Sequence, residues 1–81
     1  MNKKKIVAIA KKVCEKWYGV LVDTVAMYSD GSSAIVFAVD TEVTVQFVTV
    51  EVNKKENVND IIERANIRIA FTICAGRIRH V

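Results

Sequence analysis

Three runs of strand-forming residues follow one another between residues 20 and 52 with almost nothing between them. "VLVDTVAMY" (20–28) passes through "SDGSS" (29–33) into "AIVFAVD" (34–40), and the short Asp40, Thr41, Glu42 corner leads directly into "EVTVQFVTVEV" (42–52). The runs are rich in β-branched and aromatic side chains, and Gly31 suits a turn that needs a positive φ. Neither link is long enough for the crossover that parallel strands require. The chain is therefore expected to fold around a three-stranded antiparallel meander.

A helix precedes the meander. Over residues 4–17 the apolar side chains Ile6, Val7, Ile9, Ala10, Val13, Cys14 and Trp17 recur at three- and four-residue steps, and Lys4, Lys5, Lys11, Lys12, Glu15 and Lys16 fill the other side. Gly19 suits its C-terminal cap, and the lysines near that end favour the helix dipole. A membrane-surface helix is the rival reading, weakened because the strands need a cover for their apolar face.

Two runs have ambiguous periodicity. In the third strand Val43, Val45 and Phe47 share one parity and Val48, Val50 and Val52 the other, so the apolar set changes face at Phe47–Val48. A β-bulge there would keep one side buried, and a strand buried on both faces would explain the pattern equally well. In the last segment, "NVNDIIERA" (57–65) begins as a helix, with Asn57 or Asn59 as cap and Asp60 in the first turn. "IRIAFTIC" (67–74) alternates like a strand, yet Ile62, Ala65, Ile69 and Ile73 also keep helical spacing. One continuous helix to about Ala75 is the expectation, since no turn signal breaks the run before Gly76.

With 81 residues the chain has room for one small domain spanning residues 1–81, and its 52% hydrophobic content predicts a packed core. Hydrophobic burial at this size barely exceeds the chain entropy lost, so dimerisation would add stability. The longest apolar run, "AIVFAV", is far short of the ~20 residues that span a bilayer, and the lysine-interrupted start is unlike a signal peptide. Cys14 and Cys74 form no CxxC and have no histidine nearby, which points to two reduced, buried thiols in a cytoplasmic protein.

Charge is segregated. Residues 1–16 carry six lysines against Glu15, residues 17–53 carry five acids and no base, and residues 64–81 carry Arg64, Arg68, Arg77 and Arg79. Basic ends around an acidic middle suit phosphate attraction on one side; the alternative reading is that each is a solvated face that keeps the protein soluble. Enzyme constellations are missing. His80 is the lone histidine, beside the C-terminus, and the three glycines form neither GxGxxG nor a P-loop. Trp17, Tyr18 and Tyr28 read as core or rim aromatics, because they do not interleave with basic residues. No cofactor, metal or small-molecule substrate is expected.

In motif order the chain resembles the YraN-like family of uncharacterised bacterial proteins, whose restriction-endonuclease-like fold is related to Holliday-junction resolvases. "AKKVCEKWYGVLV" is similar to the family's first helix and its exit, "SSAIVFAVD" falls on its "GEIDLIAxD" strand, "VQFVTVEVNK" on "LVFVEVK", and "ERANIRIAFTICAGRI" on the following basic helix. The resemblance covers roughly residues 8–78. It implies an α+β, nuclease-like core of helix, three-stranded antiparallel meander and helix, a truncated restriction-endonuclease-like fold without the family's further strands.

The same resemblance implies a degenerate active site. A PD-(D/E)xK nuclease holds Mg²⁺ between two acids on neighbouring strands, with a lysine near the activated water. Here Ile35 stands where the aspartate would be, and Thr49 and Glu51 replace the glutamate and lysine. If Glu51 is taken as the acid, Asn53 falls at the lysine position and Lys54 one step beyond. The reading implied is a non-catalytic nucleic-acid-binding protein contacting phosphates of DNA or RNA through Lys11, Lys12, Lys54, Lys55, Arg64 and Arg68. The alternative is a protein-interaction or homodimerising module using the β-rich middle and its free sheet edge. A Mg²⁺-dependent nuclease is the minor alternative.

Overall fold

The computed structural model describes the backbone of residues 1–78 and the side chains of residues 1–75. Arg79, His80 and the side chain of Arg77 lie outside them. The elements are α1 (Lys3–Cys14), β1 (Val20–Met27), β2 (Ser33–Asp40), β3 (Val45–Val52) and α2 (Val58–Ile78). The sheet order is β1-β2-β3 and both pairs are antiparallel, so the meander between two helices is the fold.

Asn2 caps α1, its Oδ1 accepting from the Lys5 amide at 2.9 Å. The first turn then carries Lys3, Lys4 and Lys5 and no acid, a placement that opposes the helix dipole. Ile6, Ile9, Ala10 and Val13 are buried, so the apolar side of α1 is already covered and the membrane-surface reading loses its face. The helix ends earlier than its periodicity suggests. Glu15 caps it, and the chain tightens through Lys16 and Trp17, whose amides donate to the Val13 and Cys14 carbonyls. Gly19 is therefore not the helix cap: with φ +78° it steers the chain into β1, and its carbonyl accepts from Asp40 at 2.8 Å.

Helix α2 is continuous through the ambiguous run and passes beyond Ala75 to Ile78. Asn57, not Asn59, starts it: its Oδ1 accepts from the Asn59 amide at 2.8 Å and its carbonyl from Ile61. Ile61, Ala65 and Ile69 are fully buried. They join α1 and the inward side chains of the sheet, Phe37 at their centre, in one core cluster, which places both helices on the same face of the sheet. No helix among the described residues is long and apolar enough to cross a membrane.

Two sequence expectations about β3 and the thiols are corrected. β3 pairs with β2 without interruption from Val45 to Val52, so there is no bulge at Phe47–Val48; the irregularity lies in β1, between Val22 and Thr24. Nor is β3 buried on both faces. Val48, Val50 and Val52 face the core, whereas Val45 and Phe47 stand on the uncovered face, 48% and 64% exposed. The sheet simply has a second apolar face that no element among the described residues covers. The cysteines are not both buried either: Cys14 is half-buried and Cys74 exposed, because Cys74 lies on the side of α2 turned away from the core.

Candidate functional site

The positions that the nuclease resemblance singles out do not converge. Ile35 is fully buried and pairs with Val50 on the helix-covered face. Thr49 pairs with Val36 and Glu51 with Ala34, and both are exposed on the opposite face. Alternation along a strand puts the first motif position and the second on opposite sides of the sheet, so no one ion can touch both. Among the described residues no three of His, Cys, Asp or Glu cluster to hold a metal.

The six basic residues occupy separate places. Lys11 and Lys12 are exposed on α1; Lys12 borders the crease where Ile62 and Asn66 of α2 meet that helix. Lys54 and Lys55 sit in the turn after β3, with the aliphatic stem of Lys54 lying over Gly31. Arg68 lies on the other flank of α2, beside Phe47 and Phe71. At about 100° per residue, Asn66 and Arg68 are roughly 200° apart around the helix, so α2 itself separates Arg68 from the α1 lysines.

Arg64 is not available to a phosphate. Its guanidinium pairs with Glu56 and also donates to the Glu51 carbonyl. Glu56 additionally accepts from the Asn53 amide at 3.1 Å. The hydrogen bond from Arg64 holds the Glu56 carboxyl below its ordinary 4.5, and Glu56 in turn raises Arg64. In the neighbouring turn the Ser32 hydroxyl and amide both donate to Asp30 Oδ1, at 2.6 and 2.9 Å, and lower its pKa.

What the fold assembles instead is an apolar strip. Among the described residues β3 has a strand partner on one side only, and the Arg64 contact shows which way its main chain points. The Glu51 carbonyl faces Arg64, away from β2; by the two-residue repeat the N–H and C=O groups of Thr49, Phe47 and Val45 share that direction. Asp40 agrees, since its amide reaches Gly19 on the far side of β2. Alongside this free edge α2 carries Ile67 and Phe71, 60% and 75% exposed. Phe47, Val48 and Thr49 line one groove of about 430 Å³ together with Ile67, Arg68 and Phe71. On the open face a cross-strand row of Leu21, Ala38 and Phe47 continues the apolar surface.

Sequence reasoning missed Ile67 and Phe71, though a signal was there. Strand-like alternation in a segment that is helical places Ile69 and Ile73 toward the core and Ile67 and Phe71 on another side. Of the aromatics weighed from sequence, Trp17 is half-buried and donates from Nε1 to Asn66 Oδ1 at 2.9 Å, tying the end of α1 to α2, whereas Tyr18 and Tyr28 are exposed. A second cleft of about 470 Å³ beside Trp17, Tyr18, Asp40 and Glu42 lies where α2 passes the β2–β3 corner. Burial raises the pKa of the half-buried Cys14 thiol, which disfavours its reactive thiolate.

No family model, no curated protein and no solved structure matches this chain.

Proposed function

We propose that this protein is a non-enzymatic interaction module, and that its working surface is the free edge of β3 together with the outer side of α2. One observation carries the reading: the outer apolar sides of β3 and α2, which the core does not use, meet in space, Phe47 with Ile67 and Phe71 around a single groove. Scattered apolar residues on a surface need no explanation, but a contiguous set beside unpaired strand groups is a docking surface for another chain. Main-chain donors and acceptors supply affinity there, and the flanking rings supply specificity.

The test is amide exchange at Val45, Phe47 and Thr49, measured by NMR, with the protein itself and with extended peptides selected from a random displayed library. Protection of these amides by at least one such ligand, absent in Phe47→Lys, supports the reading. Fast exchange with every ligand and at every protein concentration overturns it.

A second reading, nucleic-acid binding, is favoured by a separate observation. The six lysines of residues 1–16 are exposed, and none makes an ion pair among the described residues. Lys3, Lys4 and Lys5 stand in the first turn, where they oppose the helix dipole, so helix stability does not explain those three. Fluorescence anisotropy with duplex, branched and single-stranded DNA at two salt concentrations tests it. Binding that falls steeply with salt supports it, and no binding at low salt removes it.

A further inference from the structure

We infer that the chain seated on this edge is a second copy of the protein, paired β3 to β3 about a two-fold axis at Phe47. This self-pairing rests on the interaction-module reading and names its partner. Four observations carry it.

The first is the contrast between the two edges of the sheet. Edge strands are ordinarily protected by charges, prolines or bulges. β1 has such protection, a register irregularity between Val22 and Thr24 with exposed Asp23 inside it. β3 has none over residues 45–49, "VQFVT", and no group among the described residues pairs with its outward-pointing N–H and C=O there.

The second is register. Arg64 already occupies the Glu51 carbonyl, so a partner strand has Val45, Phe47 and Thr49 to pair with and no more. An antiparallel copy centred on Phe47 uses that stretch in both chains: Phe47 faces Phe47, and Val45 faces Thr49 twice, with roughly six main-chain hydrogen bonds exchanged. Centring on Thr49 would set Glu51 against Phe47 and displace Arg64. Centring on Val45 would run past the start of the strand.

The third is self-complementarity. An interface on a two-fold axis must fit its own image. The Phe47-centred register brings no like charges opposite each other along β3, aligns the two Leu21–Ala38–Phe47 rows into one apolar band, and sets Ile67 and Phe71 of each copy, with Arg68 between them, beside the shared edge.

The fourth is area. Phe47 and Phe71, 64% and 75% exposed, offer together roughly 200–350 Å² per copy, on the scale of 150–250 Å² for a full aromatic side chain. Fully buried, that area would be roughly 25–44% of the ~800 Å² per partner in a standard specific interface, before Ile67, Val45 and the main chain are added.

The experiment is sedimentation of the full chain across micromolar to submillimolar concentration, with two variants on the same open face. Phe47→Lys puts a charge on the axis without touching the core, and Leu21→Lys puts one at the far edge, where 71% of the side chain is exposed. Expected are a concentration-dependent dimer for the wild type and for Leu21→Lys, and a roughly 30-fold or greater weakening for Phe47→Lys. Circular dichroism of each variant confirms the fold. A wild type that stays monomeric throughout, or a dimer equally weakened by both variants, overturns the inference. If the chain is monomeric while a displayed peptide still protects Val45, Phe47 and Thr49, self-pairing fails and the module reading stands; if neither occurs, both fail.

Discussion

Arg64 decides more about this surface than any other single residue. It ties the turn after β3 to α2 through Glu56, and by holding the Glu51 carbonyl it closes the end of the free edge nearest that turn. Glu56 is depressed below 4.5, so the stability it contributes is present above that value and drains away as pH falls through its folded-state pKa. The hydrogen bond with Glu56 raises the Arg64 pKa further, which leaves its charge constant over any pH at which the fold is studied. With the Arg64 side chain 37% exposed, solvent screening keeps the pair modest. Glu56→Gln is expected to cost about 0.5–1.5 kcal/mol at neutral pH in urea unfolding, and the gap from wild type should close below pH 4.5. A second local prediction concerns Gly31: at φ +90°, with a Cβ meeting Lys54 Cδ at 3.0 Å, Gly31→Ala should lower stability by about 1 kcal/mol or more. The Gly31 turn was readable in sequence, because a turn needs that residue type. The fate of Arg64 was not, because its partner lies eight positions away across the turn that joins a strand to a helix.

At the level of elements, the meander and both helices were legible because each follows a local period. Bounds shifted where local chemistry overrode the period: Glu15 ends α1 before Trp17, and Glu42, Val43 and Thr44 go into the corner instead of β3. Thr41 explains that corner, its hydroxyl donating to the Thr44 carbonyl and its amide to the same oxygen. The two ambiguous runs, residues 43–52 and 67–74, are where sequence reasoning assumed that every apolar residue seeks the core. Here each carries two apolar sides, one for the core and one left outside. Substitution separates them. Ile69→Ala, at a fully buried site, should cost about 2–5 kcal/mol, whereas Phe71→Lys should change stability by less than about 1 kcal/mol in the monomer while weakening association. Comparable losses from both, in thermal unfolding at low concentration, would show that Phe71 serves the fold.

For the whole molecule, the extents are 42 × 20 × 17 Å, with α2 about 31 Å long and each strand about 26 Å. α1 packs chiefly on β1 and α2 on β3. Pairing through β3 would therefore join the α2 helices at the centre and leave the lysine-bearing α1 helices on the outer flanks. Partner surface and charged surface are thus separate, and so are their predicted phenotypes. Lys11→Glu with Lys12→Glu should leave sedimentation unchanged and flatten the salt dependence of any DNA binding by about two in slope, roughly one for each lysine that no longer meets a phosphate. That segregation follows from topology, which composition alone does not reveal.

The most direct measurement is amide exchange of β3 followed against protein concentration. Gln46, Val48 and Val50 face β2 and should be protected at every concentration. Self-pairing predicts that Val45, Phe47 and Thr49 exchange fast in dilute solution and become protected as concentration rises, in the wild type but not in Phe47→Lys. Fast exchange of those three amides at all concentrations, beside protected neighbours, would contradict it.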